Sequence, residues 1–374
     1  MEFQVSALKW RPQKFVQIVG QEPITRTLQN AIKLDRVSHA YLFSGSRGVG
    51  KTSTARVFAK ALNCNVPSIE PCDECINCKE IRLGHSMDVL EVDGASNNGV
   101  AEVRELIEKV KYSANSCRYK VYIIDEVHML SKSAFNALLK TLEEPPPKVV
   151  FIFATTELTK IPGTILSRCQ CFEFKALSRE QVTKHLDLIC KEEGISVDSS
   201  SLRKIAKSGG GSMRDSQSFL DQSVAFCGSE ITSEAVETVL GAVSQDVLEA
   251  FYQNLADGNA IGLIEQTQEV VRSGKDLNIF CRDLMEFTGD LILIQSGAKP
   301  EALFNAVGQD IFKIKELSEK LDSDRLRQAF SVLAKAEGDM RRSPLPQLIF
   351  EMAAIRLTDL RTYREIETMI EQIN

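Results

Sequence analysis

Residues Gly45-Ser46-Arg47-Gly48-Val49-Gly50-Lys51-Thr52 fit the pattern G-x-x-x-x-G-K-[ST] at every fixed position, and no other stretch limits the fold as much. The pattern works only as a turn between a buried strand and a helix. There the glycines let backbone amides close around phosphate oxygens, and the helix N-terminus adds positive potential. Both flanks have that character: an apolar run at 40–44 precedes the turn and a helical pattern at 53–62 follows it. Gly45, Ser46, Arg47, Gly48, Val49 and Gly50 are therefore predicted to wrap the phosphates of ATP. Lys51 would reach the β- and γ-phosphates, and the Thr52 hydroxyl would hold Mg²⁺. A chance glycine turn is the alternative, and the flanking elements argue against it.

Four further apolar runs, at 89–92, 121–124, 149–154 and 171–174, read as buried strands, with helical patterns such as 101–112 and 133–142 between them. Strands alternating with helices predict a mainly parallel α/β sheet covered on both faces. The run Val121-Tyr122-Ile123-Ile124 ends in Asp125-Glu126. Alone, a strand tip with two acids is as often a solvated end as a site. Paired with an upstream phosphate loop, it predicts Asp125 in the Mg²⁺ shell and Glu126 polarising the attacking water. Both carboxylates together argue for hydrolysis rather than passive binding.

The chain has 374 residues, which calls for more than one core, and a net charge of −6, which excludes holding nucleic acid by overall charge alone. No run of eighteen apolar residues is present, and the first residues lack the basic and apolar segments of a secretory signal, so a cytoplasmic protein is expected. Among ten cysteines, Cys64-x7-Cys72-x2-Cys75-x2-Cys78 stands apart as four thiols on one short excursion. Two-residue spacers suit a tetrahedral Zn²⁺. An iron–sulfur cluster also uses C-x2-C-x2-C, but the fourth cysteine lies upstream and Lys79 stands where a nearby Cys-Pro would. Zinc is favoured, in a structural role, since four protein ligands leave no open position.

Beyond residue 174 strand signals stop. Ser178-Arg179-Glu180-Gln181 fits a capping box opening a helix, and the glycine-rich stretch at 208–212 leads into another at 213–227. From 245 on only amphipathic helices are read. Leu277, Phe280, Cys281, Leu284, Phe287 and Leu291 share one face, as packing in a bundle or a subunit contact requires. The predicted organisation is a nucleotide-binding core at 1–176 with a zinc module at 64–78, a small helical lid at 177–242 and an all-helical collar at 243–374.

With these motifs assembled, the chain resembles the bacterial DNA polymerase III clamp-loader gamma/tau family within the AAA+ ATPases. The resemblance rests on Lys9-Trp10-Arg11-Pro12 with Phe15 and Val19-Gly20-Gln21, then on His39 through Gly45, and on the cysteine excursion after Leu62-Asn63. It continues in Asp125-Glu126-Val127-His128-Met129-Leu130 and in Leu138-Leu139-Lys140-Thr141-Leu142-Glu143-Glu144-Pro145. It implies an AAA+ core followed by an all-α collar, and ATP-driven loading of a sliding clamp onto primer-template DNA as part of the polymerase III holoenzyme. Partners would be related subunits in a five-membered ring, with any polymerase activity belonging to the holoenzyme. By the same resemblance Arg168, in Ser167-Arg168-Cys169, acts on ATP held by a neighbouring subunit, and Arg214 is the lid residue closing on its own phosphates. Thr156, with Thr155 as the alternative, is the polar sensor. Arg11-Pro12 and Val19-Gly20 line the adenine side. Ser96-Asn97-Asn98-Gly99 is a candidate DNA-phosphate contact, an ordinary capped turn being the alternative. The chain stops after the collar region, so it resembles the short form without a polymerase- and helicase-binding tail.

Overall fold

In a computed structural model, the structure describes residues 4–66, 68–241, 243–298 and 311–360. Two compact units divide them. One runs to Val197 and resumes from Leu202 to Glu230; the other takes Asp198–Ser201 and the chain from Ile231 on.

The first unit is built on five strands: β1 (Ala40–Gly45), β2 (Val89–Asp93), β3 (Lys120–Asp125), β4 (Val149–Thr155) and β5 (Gln170–Phe174). They are hydrogen-bonded in the order β2-β3-β4-β1-β5 and all pairs are parallel. Successive side chains on a strand face opposite ways, and the core divides accordingly. Tyr41, Phe43, Val121, Ile123, Val150 and Ile152 pack with Ala55, Phe58 and Leu62 of the Lys51–Asn63 helix on one face. Leu42, Tyr122, Ile124, Phe151 and Phe153 pack on the other with Val103 and Leu106 of the Val100–Val110 helix and Phe135 and Leu138 of the Lys132–Glu143 helix. Each such side chain contributes roughly 1.5–3 kcal/mol when fully buried. Every residue of β4 is buried, which is why its sequence reads as an unbroken apolar run rather than an alternating one.

The register brings the strand ends level. Ser44 lies beside Thr155, Gly45 beside Phe174, and Asp93 beside Asp125. Because the strands run the same way, the carboxyl ends of β1, β3 and β4 deliver the phosphate loop, Asp125 and Thr155 to one edge. Helices Arg179–Glu193 and Met213–Cys227 complete this unit. The first opens with the capping box expected of it: Gln181 N–H donates to Ser178 Oγ at 3.1 Å, and Ser178 N–H donates to Gln181 Oε1 at 3.0 Å. Beyond β5 the described strands are only two residues long, Ser196–Val197 and Glu230–Ile231.

The second unit is helical from Gln245–Ala256 to Pro346–Thr358. The stripe from Leu277 to Leu291 is buried inside it, with Phe280, Cys281, Leu284, Phe287 and Leu291 at 0% exposure beside Phe251, Tyr252, Leu333 and Phe350. It is thus core of this unit and not a free subunit-contact face. The Tyr252 hydroxyl is spared an unpaired burial by donating to Leu284 O at 2.9 Å. No helix among the described residues is long and apolar enough to cross a membrane.

Candidate active site and metal centre

The phosphate loop has the backbone its sequence demands. Gly48 and Gly50 sit at φ +75° and +102°, in the left-handed region that costs side-chain-bearing residues most. Gly48 has a second reason to be bare, since a Cβ there would fall 1.9 Å from Ser212 Oγ at the start of the Met213–Cys227 helix. That helix is fastened to the loop by Met213 N–H donating to Gly48 O at 3.1 Å.

Lys51 opens the following helix and is 6% exposed. Its ammonium donates to Gly45 O and Ser46 O, each at 2.8 Å. Burial pushes its pKa down, and the carboxylates of Glu126 and Asp125 push back. Thr52 donates its hydroxyl to Asp125 Oδ2 at 2.7 Å, so the hydroxyl and carboxylate that could share a hydrated Mg²⁺ already touch. Asp125 Oδ1 accepts Glu126 N–H at 2.9 Å.

Glu126 has φ 44° and ψ 45°, a left-handed conformation rare outside glycine. Its Oε2 accepts the Thr156 hydroxyl at 3.1 Å and lies 3.4 Å from His128 Nδ1. The structure separates the two threonines. Thr156 faces Glu126, whereas buried Thr155 meets His128 Nδ1 at 3.1 Å and accepts Glu157 N–H at 3.0 Å.

These groups open on a cleft of about 540 Å³ whose wall includes Arg47 to Ser53, Asp125 and Glu126, with Trp10, Arg11, Pro12 and Val19 on the N-terminal side and Met213, Arg214 and Gln217 on the lid side. Burial lowers the pKa of Arg11, as do Arg56 and Arg214 nearby, while Glu91 and Asp125 oppose. Arg11, Lys51 and Arg214 therefore ring one cleft, which makes it a receptor for a polyanion. His185 also lines it and is held more readily neutral by burial.

Arg168 does not line this cleft. It follows the short Gly163–Leu166 helix, donates to Thr164 O at 2.7 Å and pairs with Glu143 at 2.6 Å. The segment 96–99 lies ahead of the Val100–Val110 helix. Ser96 Oγ donates to Asp93 Oδ2 at 2.7 Å, Asn98 O accepts Ser131 N–H at 3.0 Å, and no side chain caps the helix at Gly99.

All ten cysteines are free thiols. The Sγ atoms of Cys64, Cys72, Cys75 and Cys78 lie within 4.8 Å of one another, with Cys72 and Cys78 at 3.9 Å. A tetrahedral Zn²⁺ with sulfurs at 2.3 Å spaces them about 3.8 Å apart, so the cluster fits that ion. Amides of Glu74 and Cys75 pull the Cys72 thiol down to about 6, towards the thiolate a metal needs, while burial pushes Cys78 up.

Sequence patterns did not single out Lys60, Glu70, Glu193 or Asp221, which contact residues 6–15 on the N-terminal side of the cleft, nor Asp73, which pairs with Lys60. The one signal was Lys60 itself, a lysine inside the otherwise apolar 57–62 stretch of its helix.

The phosphate loop, the acidic tip of β3, the five-stranded parallel sheet and the helical lid define a P-loop ATPase core of the AAA+ class. Profiles match along the chain: "DNA polymerase III, delta subunit" over residues 20–178, "DNA polymerase III clamp loader subunit, ATPase lid domain" over 181–229, and "DNA polymerase III subunits gamma and tau domain III" over 231–373. The chain belongs to the DNA polymerase III gamma/tau subunit family. It is 35% identical over 364 residues to the gamma subunit of Buchnera aphidicola subsp. Acyrthosiphon pisum, covering 96% of this chain and 99% of that one. It is 44% identical over 358 residues to the tau subunit of Bacillus subtilis, covering 96% of this chain but 63% of that one. The chain thus spans somewhat under two thirds of the length of that tau subunit. Among solved structures, the RuvB Holliday junction branch migration motor of Thermotoga maritima covers 66% of this chain and 79% of its own, at 15% identity and a TM-score of 0.48.

Proposed function

We propose that this chain is an ATP-hydrolysing clamp-loader subunit of a DNA polymerase III holoenzyme, working in a five-membered ring in the cytoplasm. The observation that carries the reading is the contact chain Thr52–Asp125–Glu126–Thr156 at the mouth of the phosphate loop, in a member of the gamma/tau family. In this reading the loop amides and Lys51 take the triphosphate, with Lys51 leaving two carbonyls for phosphate oxygens. Thr52 and Asp125 hold Mg²⁺, which offsets charge between the phosphates. Glu126 orients and deprotonates the attacking water, and Thr156 aims its carboxylate. Arg214 closes from the lid. Arg168, outside its own cleft and paired with Glu143, would exchange that pairing for a neighbour's γ-phosphate. Cys64, Cys72, Cys75 and Cys78 hold a structural Zn²⁺. Residues 1–176, 177–242 and 243–374 act as core, lid and collar. A sliding clamp and primer-template DNA are the partners, and 96–99 is the proposed phosphate contact on the DNA backbone.

The test is ATP turnover of the assembled complex with clamp and primed DNA. Clamp- and primer-stimulated hydrolysis, lost on Glu126→Gln, is expected. Turnover by the Glu126→Gln complex at the unaltered rate would sink the catalytic assignment. A self-sufficient hexamer that unwinds DNA would overturn the clamp-loading reading.

A further inference from the structure

The cysteine excursion is wired into the wall of the nucleotide cleft. The Lys51–Asn63 helix begins at the phosphate loop and ends at Cys64, the first thiol. Lys60 on this helix has a side chain only 1% exposed. Its ammonium pairs with Asp73, which lies between Cys72 and Cys75, and donates to Gln13 O at 3.2 Å and Gln13 Oε1 at 2.9 Å. Glu70, also on the excursion, accepts Phe15 N–H at 2.8 Å and the Gln29 side-chain amide at 2.8 Å. Gln13 and Phe15 belong to the segment whose Trp10, Arg11, Pro12, Gln17, Ile18 and Val19 form the N-terminal wall of the cleft. On its other side the segment is tied to the lid helices by Trp10 Nε1 donating to Glu193 at 3.0 Å and Ser6 N–H donating to Asp221 at 2.8 Å.

Phe15 and Ile18 anchor the far end of the segment in the core, whereas Gln13, just ahead of these anchors, is held by polar contacts to Lys60. An excursion of this length has too little apolar core to keep its shape without its metal, as small metal modules generally do not. When it opens, Asp73 leaves a buried ammonium unpaired, which a dry interior tolerates poorly, and Glu70 lets go of Phe15. We propose that the Cys64–Cys72–Cys75–Cys78 excursion braces the N-terminal wall of the nucleotide cleft, with Lys60, Asp73 and Glu70 as positioning residues. A bound metal ion thereby tightens nucleotide binding without touching nucleotide. The inference rests on the ATP reading above.

The experiment uses the full chain, with metal content measured beside equilibrium binding of a fluorescent ATP analogue and hydrogen exchange at residues 11–17. Glu70→Ala with its metal retained should bind about three- to tenfold more weakly, and chelated wild type at least as weakly. Both should exchange faster at 11–17 with no nucleotide present. Should Glu70→Ala misfold, Lys60→Met carries the same expectation. Unchanged affinity and unchanged exchange in chelated, still-folded protein would overturn the brace. Should metal-loaded wild type bind no ATP, the nucleotide reading fails instead, and exchange at 11–17 still decides whether the brace exists.

Discussion

Glu126 is the residue whose surroundings say most about its task. Its left-handed backbone costs about 1–3 kcal/mol, and the fold sustains it by closing Gly94 against the same turn. Gly94 N–H donates to Asp125 O at 2.8 Å, and a Cβ at Gly94 would meet Asp125 O and Glu126 O at 2.8 Å each. The strained turn leaves the Glu126 carboxylate between Thr156 and His128. Glu126→Gln should therefore keep ATP affinity within about threefold while turnover falls roughly 10²- to 10⁴-fold, as removal of a general base does. Thr156→Val should lower turnover about tenfold with affinity unchanged, since it frees the carboxylate without removing it; single-turnover hydrolysis separates the two effects. The sequence names Asp125 and Glu126 through the apolar run before them. It does not show the left-handed turn or the choice of Thr156 over Thr155, because both depend on how the ends of β3 and β4 lie side by side.

At the scale of elements, the five strands were legible almost to the residue; the central β1, β3 and β4 are buried on both faces, which leaves long apolar runs that little else produces, while the edge strands β2 and β5 keep shorter ones. The Ile76–Leu83 helix was not. It is short, follows directly on Cys75, and leaves Ile76 and Leu83 exposed, so its pattern is weak. The junction of phosphate loop and lid is a clear place to test packing. Gly48→Ala combines positive φ with a clash on Ser212, and should abolish measurable ATP binding and lower stability by about 2–4 kcal/mol in thermal unfolding. A second element-level test concerns the turn before β3. Burial pushes the Asp88 carboxyl up, but the amides of Asn115, Ser116 and Cys117 outweigh it and hold the group below its ordinary value. A carboxylate depressed in the folded state contributes stability above the unfolded-chain pKa and loses it as pH falls through the folded one. Asp88→Asn should cost about 2 kcal/mol near neutral pH and make the acid side of the stability–pH curve shallower, as denaturant titrations at several pH values would read.

For the whole molecule, the decisive residue is the one that faces away from its own cleft. Arg168→Ala should leave ATP affinity of the single chain unchanged, since only contacts outside its own cleft, to Glu143, Thr164 O and Ser167, are lost, and cut hydrolysis in the assembled complex by about 10³-fold. Mixing Arg168→Ala with Lys51→Ala chains and measuring turnover would show whether the arginine acts across a contact. No pattern within one chain could reveal such a role, because the proposed target of Arg168 is a neighbour's nucleotide; only family resemblance pointed to it. The all-parallel sheet carries a practical consequence. Phosphate loop, acidic tip and threonine pair lie past carboxyl ends, so of the groups proposed to react only Arg168, just ahead of β5 and paired with Glu143, lies toward the amino edge, where 34–39 leads into β1 and 144–148 into β4. Dyes, affinity handles or surface tethers placed at 35–36, where Leu34 and its neighbours face water, would report on the protein without entering the nucleotide cleft of their own chain.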